Sequence, residues 1–197
     1  MAPKTKEQFQ EIRESTKAVI KEAALELFAH RGYASTSISL IAKEAGVSKG
    51  LMYNYFESKK ALINEIILDA YVTTEAVLKD HFDPEKPAPE QLTGIVKGLS
   101  KLITENMEYW KLLTSLAFQE GGLGDMGDSL KQKSLSYLDL MTHLFNELGA
   151  ASPKEEALLF SATLDGMMMH YMTMGEDYPV DAMEQYVIQR FCQPRNT

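Results

Sequence analysis

The chain has 197 residues, 45% hydrophobic and 24% charged, which is ordinary for a globular protein with one sizeable core or two modest ones. Its net charge of -8 is unevenly placed: residues 1–65 hold 10 Lys and Arg against 8 Asp and Glu, and residues 66–197 hold 10 against 20, so only the second part repels a polyanion. The single cysteine, Cys192, excludes an intramolecular disulfide, and no apolar run forms a signal-peptide core or approaches the ~18 residues of a membrane span, so a cytoplasmic protein with no membrane partner is expected.

Residues 1–10 are polar and read as frayed, with Lys4 and Lys6 able to brush a nucleic acid. A first helix is predicted from Glu11 to His30, burying Ile20, Ala23, Ala24, Leu27 and Phe28, with Gly32 ending it. Ile38, Ile41, Ala42 and Ala45 then recur at helical spacing behind a cap at Thr36 or Ser37. Gly46 stops that helix and Val47 fills the corner. Ser48 caps another short helix, with Met52 and Phe56 on its inner side and Lys49, Gly50, Tyr53 and Asn54 outward. Ser58 caps a long helix from Lys59 to about His81, striped with Ile63, Ile66, Ile67, Ala70 and Tyr71.

The second short helix buries little by itself. Its outward face carries a cation, a glycine, an amide and a phenol. Lysine neutralises phosphate, tyrosine hydroxyls donate to phosphate oxygens, and asparagine pairs bidentately with adenine. Gly50 removes a side chain where the helix start must approach another backbone. Residues 37–56 therefore read as a helix-turn-helix whose second helix enters the major groove of double-stranded DNA.

The run Phe28-Ala-His-Arg-Gly-Tyr33, Thr36, Ile41-Ala-Lys-Glu-Ala-Gly-Val-Ser48, Tyr53-Asn-Tyr-Phe56 and Ser58-Lys-Lys-Ala-Leu62 resembles the N-terminal domain of the tetracycline-repressor-like (TetR) family. The resemblance covers about the first 65 to 70 residues. It implies an all-α protein: a three-helix DNA-binding head over 11–58 and a helical ligand-binding and dimerising body over 59–197. By motif position it places Thr36, Ser48, Tyr53, Tyr55 and Lys59 on phosphates and Lys49, Gly50, Leu51 and Asn54 toward bases. Tyr55 stands where many members have histidine, and its phenol still donates to phosphate.

Beyond His81, three prolines within 84–89 interrupt the helix as a hinge-like connection. Further helices are predicted over about 89–106, 108–119, 128–148, 153–175 and 180–192, giving about nine in all. The seventh, apolar on most sides, reads as central. Gly121–Gly124 and Gly127 read as a flexible loop or gate, since no phosphate-loop spacing accompanies them. Ser152-Pro-Lys-Glu155 reads as a capping box opening the eighth helix. Met107, Trp110, Phe118, Tyr137, Met141 and His170 are candidate walls of a pocket for a largely hydrophobic effector. Ser161, Ala162 and Gly166 on the eighth helix, with Met183, Tyr186, Val187 and Phe191 on the ninth, are candidates for a homodimer interface. The resemblance implies a four-helix contact there.

Met167, His170 and Met174 share a helical face and could hold Cu(I). An adaptable apolar pocket or interface explains the methionines more simply, so no cofactor or metal is expected. No G-x-S-x-G, Walker loop or H-E-x-x-H occurs, and the four histidines are scattered, so no enzyme is expected. The expectation is a ligand-responsive transcriptional regulator, most simply a repressor. A DNA-docked structural or adaptor protein without an effector is the alternative.

Overall fold

A computed structural model describes residues 5–119 and 126–194. The described residues are all-α: α1 (Lys6–Arg31), α2 (Ile38–Glu44), α3 (Lys49–Tyr55), α4 (Lys59–His81), α5 (Ala88–Glu105), α6 (Met107–Ala117), α7 (Gly127–Glu147), α8 (Pro153–Met174) and α9 (Val180–Phe191), with a 3-10 turn at Gly175–Asp177. They fall into two compact units, residues 1–69 with 112–127, and residues 70–111 with 128–197. The division expected at 58/59 lies inside the first unit. Helix α4 begins in one unit and ends in the other.

In the first unit, α1 starts earlier than its hydrophobic stripe suggests. The Gln8 N–H donates to Thr5 Oγ1 at 3.2 Å, and the Thr5 N–H donates to Gln8 Oε1 at 3.0 Å. This capping box satisfies two otherwise orphaned donors, so residues 6–10 are helical rather than frayed. Further along, Ile20, Ala24 and Phe28 lie fully buried on one side. Helix α2 packs on α1, and α3 packs on α2. Gly46, at φ +66°, makes the left-handed turn between α2 and α3 that a side-chain-bearing residue resists. Gln119, beyond α6, belongs here too. Its Oε1 accepts the Tyr33 N–H at 3.1 Å and its Nε2 donates to the Ala29 carbonyl at 3.3 Å.

The second unit is built around α5, which packs against α8 and α9. Phe145, Phe160 and Phe191 meet edge to face, with centroids 5.5 to 6.5 Å apart. Such pairs add about 0.5–1.5 kcal/mol each to the burial itself. His81, at the end of α4, occupies a notch made by Gly94 and Gly98: a Cβ on Gly94 would collide with the His81 ring.

Two expectations are corrected in this unit. Helix α7 is not buried on most sides: Met141, Leu144 and Phe145 are buried, but Leu135 and Leu140 are exposed. The Ser152 box does not form. Ser152 has ψ 75°, where the working caps Thr5, Ser37 and Ser48 have ψ between 150° and 164°, and no side-chain capping bond results. Pro153 at the first helical position still opens α8. The glycines expected to form a gate, Gly121–Gly124, lie outside the described residues, and Gly127 begins α7.

Candidate nucleic-acid interface and ligand cavity

Helix α3 has seven residues and is fixed by its inner side and its start. Met52 is fully buried and Phe56 nearly so. The Leu51 N–H donates to Ser48 Oγ at 3.1 Å. That bond uses an oxygen lone pair of Ser48, so the exposed hydroxyl keeps its proton to donate elsewhere.

Helical periodicity then sorts the other side chains. Gly50 and Asn54, four apart, lie on the line opposite Met52 and Phe56, and both are exposed. Lys49 and Tyr53 flank that line on one side, with Tyr53 50% exposed. Leu51 and Tyr55 flank it on the other, Leu51 exposed and Tyr55 half-buried. Among the described residues a Cβ added at Gly50 would meet nothing within 4 Å, so none of them demands glycine there.

Two residues assigned to phosphate by motif position are turned inward. Thr36 is only 1% exposed; its hydroxyl donates to the Gly32 carbonyl at 2.9 Å, with the Leu27 carbonyl at 3.3 Å. Lys59 Nζ lies 2.6 Å from the Tyr33 carbonyl, 2.9 Å from that of Thr36 and 3.4 Å from that of Ala34, and 4.3 Å from the Tyr33 ring centroid. An ammonium has three protons, and three carbonyls surround this one. Both residues clamp the turn between α1 and α2.

Sequence reasoning missed Arg13. Its guanidinium lies 3.4 Å from the Asn54 carbonyl and 5.1 Å from the centroid of the Tyr55 ring. The neighbouring cations of α1 are tied down differently. Lys17 pairs with Glu65 at 2.7 Å, and Lys21 pairs with Asp69 and Glu65. Burial works against the charge of Lys21, but Asp69 and Glu65 together hold its pKa above the ordinary value.

The second unit contains a cavity of about 430 Å³. Its walls are apolar: Leu78 from α4, Ile95 and Leu99 from α5, Leu138 and Met141 from α7, Phe160 and Leu164 from α8. Lys131, Tyr137, Ser161 and Asp165 are among its few polar groups. Burial among apolar atoms raises the Asp165 pKa, although the side chain reaches the surface. The Tyr137 hydroxyl is driven well above the ordinary phenol range, first by desolvation and then by hydrogen bonding to Tyr71 and to the Glu75 carboxylate of α4. Lys133 Nζ sits 3.8 Å from the Tyr71 ring centroid.

Of the expected pocket residues, Tyr137 and Met141 line this cavity. Met107, Trp110 and His170 do not: the Trp110 indole N–H donates to the Leu102 carbonyl at 3.2 Å, and exposed His170 meets the Tyr178 ring edge-on at 5.8 Å. Phe118 is in the first unit, beyond the end of α6, and is 82% exposed. Of the expected interface residues, Val187 and Phe191 are 1% and 5% exposed within the α5–α8–α9 core and have no surface left for a partner. Met183 is partly buried against the same core. Ala162 and Tyr186 are exposed, the space around Gly166 is open, and Ser161 lines the cavity. Met167 is buried while Met174 is half-exposed, so the residues considered for Cu(I) do not present one common surface.

Residues 20–66 match the family model described as bacterial regulatory proteins, tetR family. The chain is 33% identical over 188 residues to the uncharacterized HTH-type transcriptional regulator YhgD of Bacillus subtilis, a match covering 88% of this chain and 95% of that one. It is 31% identical over 172 residues to YuxN, an uncharacterized HTH-type transcriptional regulator of the same organism; that match covers 82% of this chain but only 55% of YuxN. In fold it resembles a TetR-like transcriptional regulator from Rhodococcus sp. RHA1, with TM-score 0.69 and 24% identity over 96% of this chain and 97% of that one. With the near full-length likeness to YhgD and the family-model match over residues 20–66, the chain belongs to the tetR family of bacterial regulatory proteins.

Proposed function

We propose that this chain is a transcriptional repressor that binds a two-fold-symmetric operator as a homodimer and is released by a small, largely apolar effector. One observation carries the reading: a short helix, pinned by Met52, Phe56 and the Ser48 cap, holds Gly50 and Asn54 outward with hydrogen-bonding and cationic neighbours. Asn54 is the base-reading residue, through adenine N6 and N7. Tyr53, Tyr55 and Ser48 hold the register on phosphates, while Lys49 and Leu51 flank the base-facing line. Gly50 lets the helix come close to the DNA.

Pairing of two copies is supported by Leu159, Ala162, Gly166 and Met169, which follow one another at spacings of three and four along α8, with Tyr186 exposed on α9. One head reads too few base pairs for a specific site, and a two-fold dimer doubles them. The effector occupies the 430 Å³ cavity, a volume within the usual range for small ligands. Tyr137 lines that cavity and also bonds to Glu75 on α4, so an occupant that displaces Tyr137 loosens or shifts α4. Two recognition helices must enter major grooves about 34 Å apart or a multiple of that, so a few ångströms of shift weaken binding.

Selection of duplexes from a random library by the full chain tests the DNA reading. Enrichment of a palindrome is expected, and enrichment of nothing would contradict the reading. Competition of the selected complex by a panel of apolar small molecules then tests the effector.

A further inference from the structure

We propose that Arg13 extends the DNA interface beyond the helix-turn-helix, as a phosphate contact mounted at the C-terminal end of α3. The inference rests on the DNA-binding reading above. Helix α3 has seven residues and so is about 10 Å long, while the major groove is about 12 Å wide. A helix that short brings both of its ends near the phosphates bordering the groove. Ser48 and Lys49 stand at one end. At the other end the cation is supplied by α1: Arg13 lies against the Asn54 carbonyl at 3.4 Å and over the Tyr55 ring at 5.1 Å.

Three features fit a phosphate contact better than a structural clamp. Arg13 is exposed, and its bond to Asn54 is long and uses one of five N–H donors. Among the described residues no carboxylate pairs with it, whereas Lys17 and Lys21 are each neutralised from α4. The phenol face and the carbonyl at the negative end of α3 also orient the planar guanidinium, which reduces the entropy lost on binding a phosphate fork. Lys59, by contrast, spends its protons on three carbonyls.

The test is the salt dependence of DNA affinity for the full chain, on a duplex selected by the wild type and on a scrambled one. Losing one phosphate contact lowers the slope of log K against log salt by about 0.9 per protomer. Arg13→Ala is expected to bind both duplexes more weakly and to lose roughly threefold less affinity per protomer than wild type between about 50 and 200 mM salt. Arg13→Lys, which keeps the charge, is expected to restore most of the slope. Weaker binding with an unchanged slope, or Arg13→Lys behaving like Arg13→Ala, would make Arg13 a positioning residue and overturn the inference. Wild-type binding with Arg13→Ala indistinguishable from it would also overturn the inference and leave the DNA reading standing. If the wild type binds neither duplex, the DNA reading fails first and takes this inference with it.

Discussion

Lys59 and Tyr53 separate what a side chain does for the fold from what it does for a ligand. The Lys59 ammonium is half-buried among three carbonyls, and hydrogen bonds from a charged group contribute about 1.5–3 kcal/mol. Lys59→Ala is expected to reduce stability in urea unfolding by about that amount and to leave the salt slope of DNA binding unchanged. A flattened slope with full stability would return Lys59 to the phosphates. Tyr53, half-exposed, has no such internal duty. The inner and outer residues of α3 were legible in the sequence because caps and helical periodicity act over a few residues. The direction of Lys59 was not, because it depends on where the start of α4 meets the α1–α2 turn, 23 to 26 residues away in the chain. Arg13 escaped for the same reason: its partner carbonyl is 41 residues distant.

Among the elements, α3 carries an opposition between stability and binding. Alanine is favoured over glycine in a helix by up to about 1 kcal/mol, and a Cβ at Gly50 meets nothing among the described residues. Gly50→Ala is therefore expected to leave stability unchanged or raise it by up to about 1 kcal/mol, while DNA affinity falls about tenfold, a cost of about 1.4 kcal/mol. Thermal unfolding and fluorescence anisotropy on the same sample measure both; unchanged affinity would mean that Gly50 does not face the groove. Helix α4 carries the second prediction. Tyr137→Phe keeps a ring on the cavity wall but removes the hydroxyl that reaches Glu75. Effector affinity is expected to change by no more than about threefold, since that contact is not to the ligand, while the effector's influence on DNA affinity is largely lost. Retained coupling would exclude this route. Helix boundaries were readable to within a few residues from stripes and prolines, except that a polar capping box extends α1 beyond its apolar stripe. The position of α7 was misread because leucines beside a cavity look like core in a one-dimensional pattern. Leu135 lines the cavity and is exposed, while Phe145 fills the centre.

For the whole molecule, charge and symmetry set the expectations. The negative balance lies in residues 66–197, so the mildly basic first 65 residues are the part a polyanion accepts. The proposed pairing through α8 and α9 would use what their own core leaves over, which excludes Val187 and Phe191 and leaves Ala162, Gly166, Met169 and Tyr186. Ala162→Glu places a charge on that stripe without touching the buried core and is expected to give a folded monomer in sedimentation, with DNA affinity reduced at least a hundredfold as the second half-site contribution is lost. A folded dimer with unchanged affinity would place the interface elsewhere. The most direct test of the central claim, that α3 reads DNA through its outward line, is an affinity profile over every single-base change in a duplex selected by the wild type, repeated with Asn54→Ala. Asn54→Ala is expected to lose discrimination, worth about 1–3 kcal/mol, at one base pair in each half-site and to keep it at the others. Identical profiles for the two proteins would contradict it.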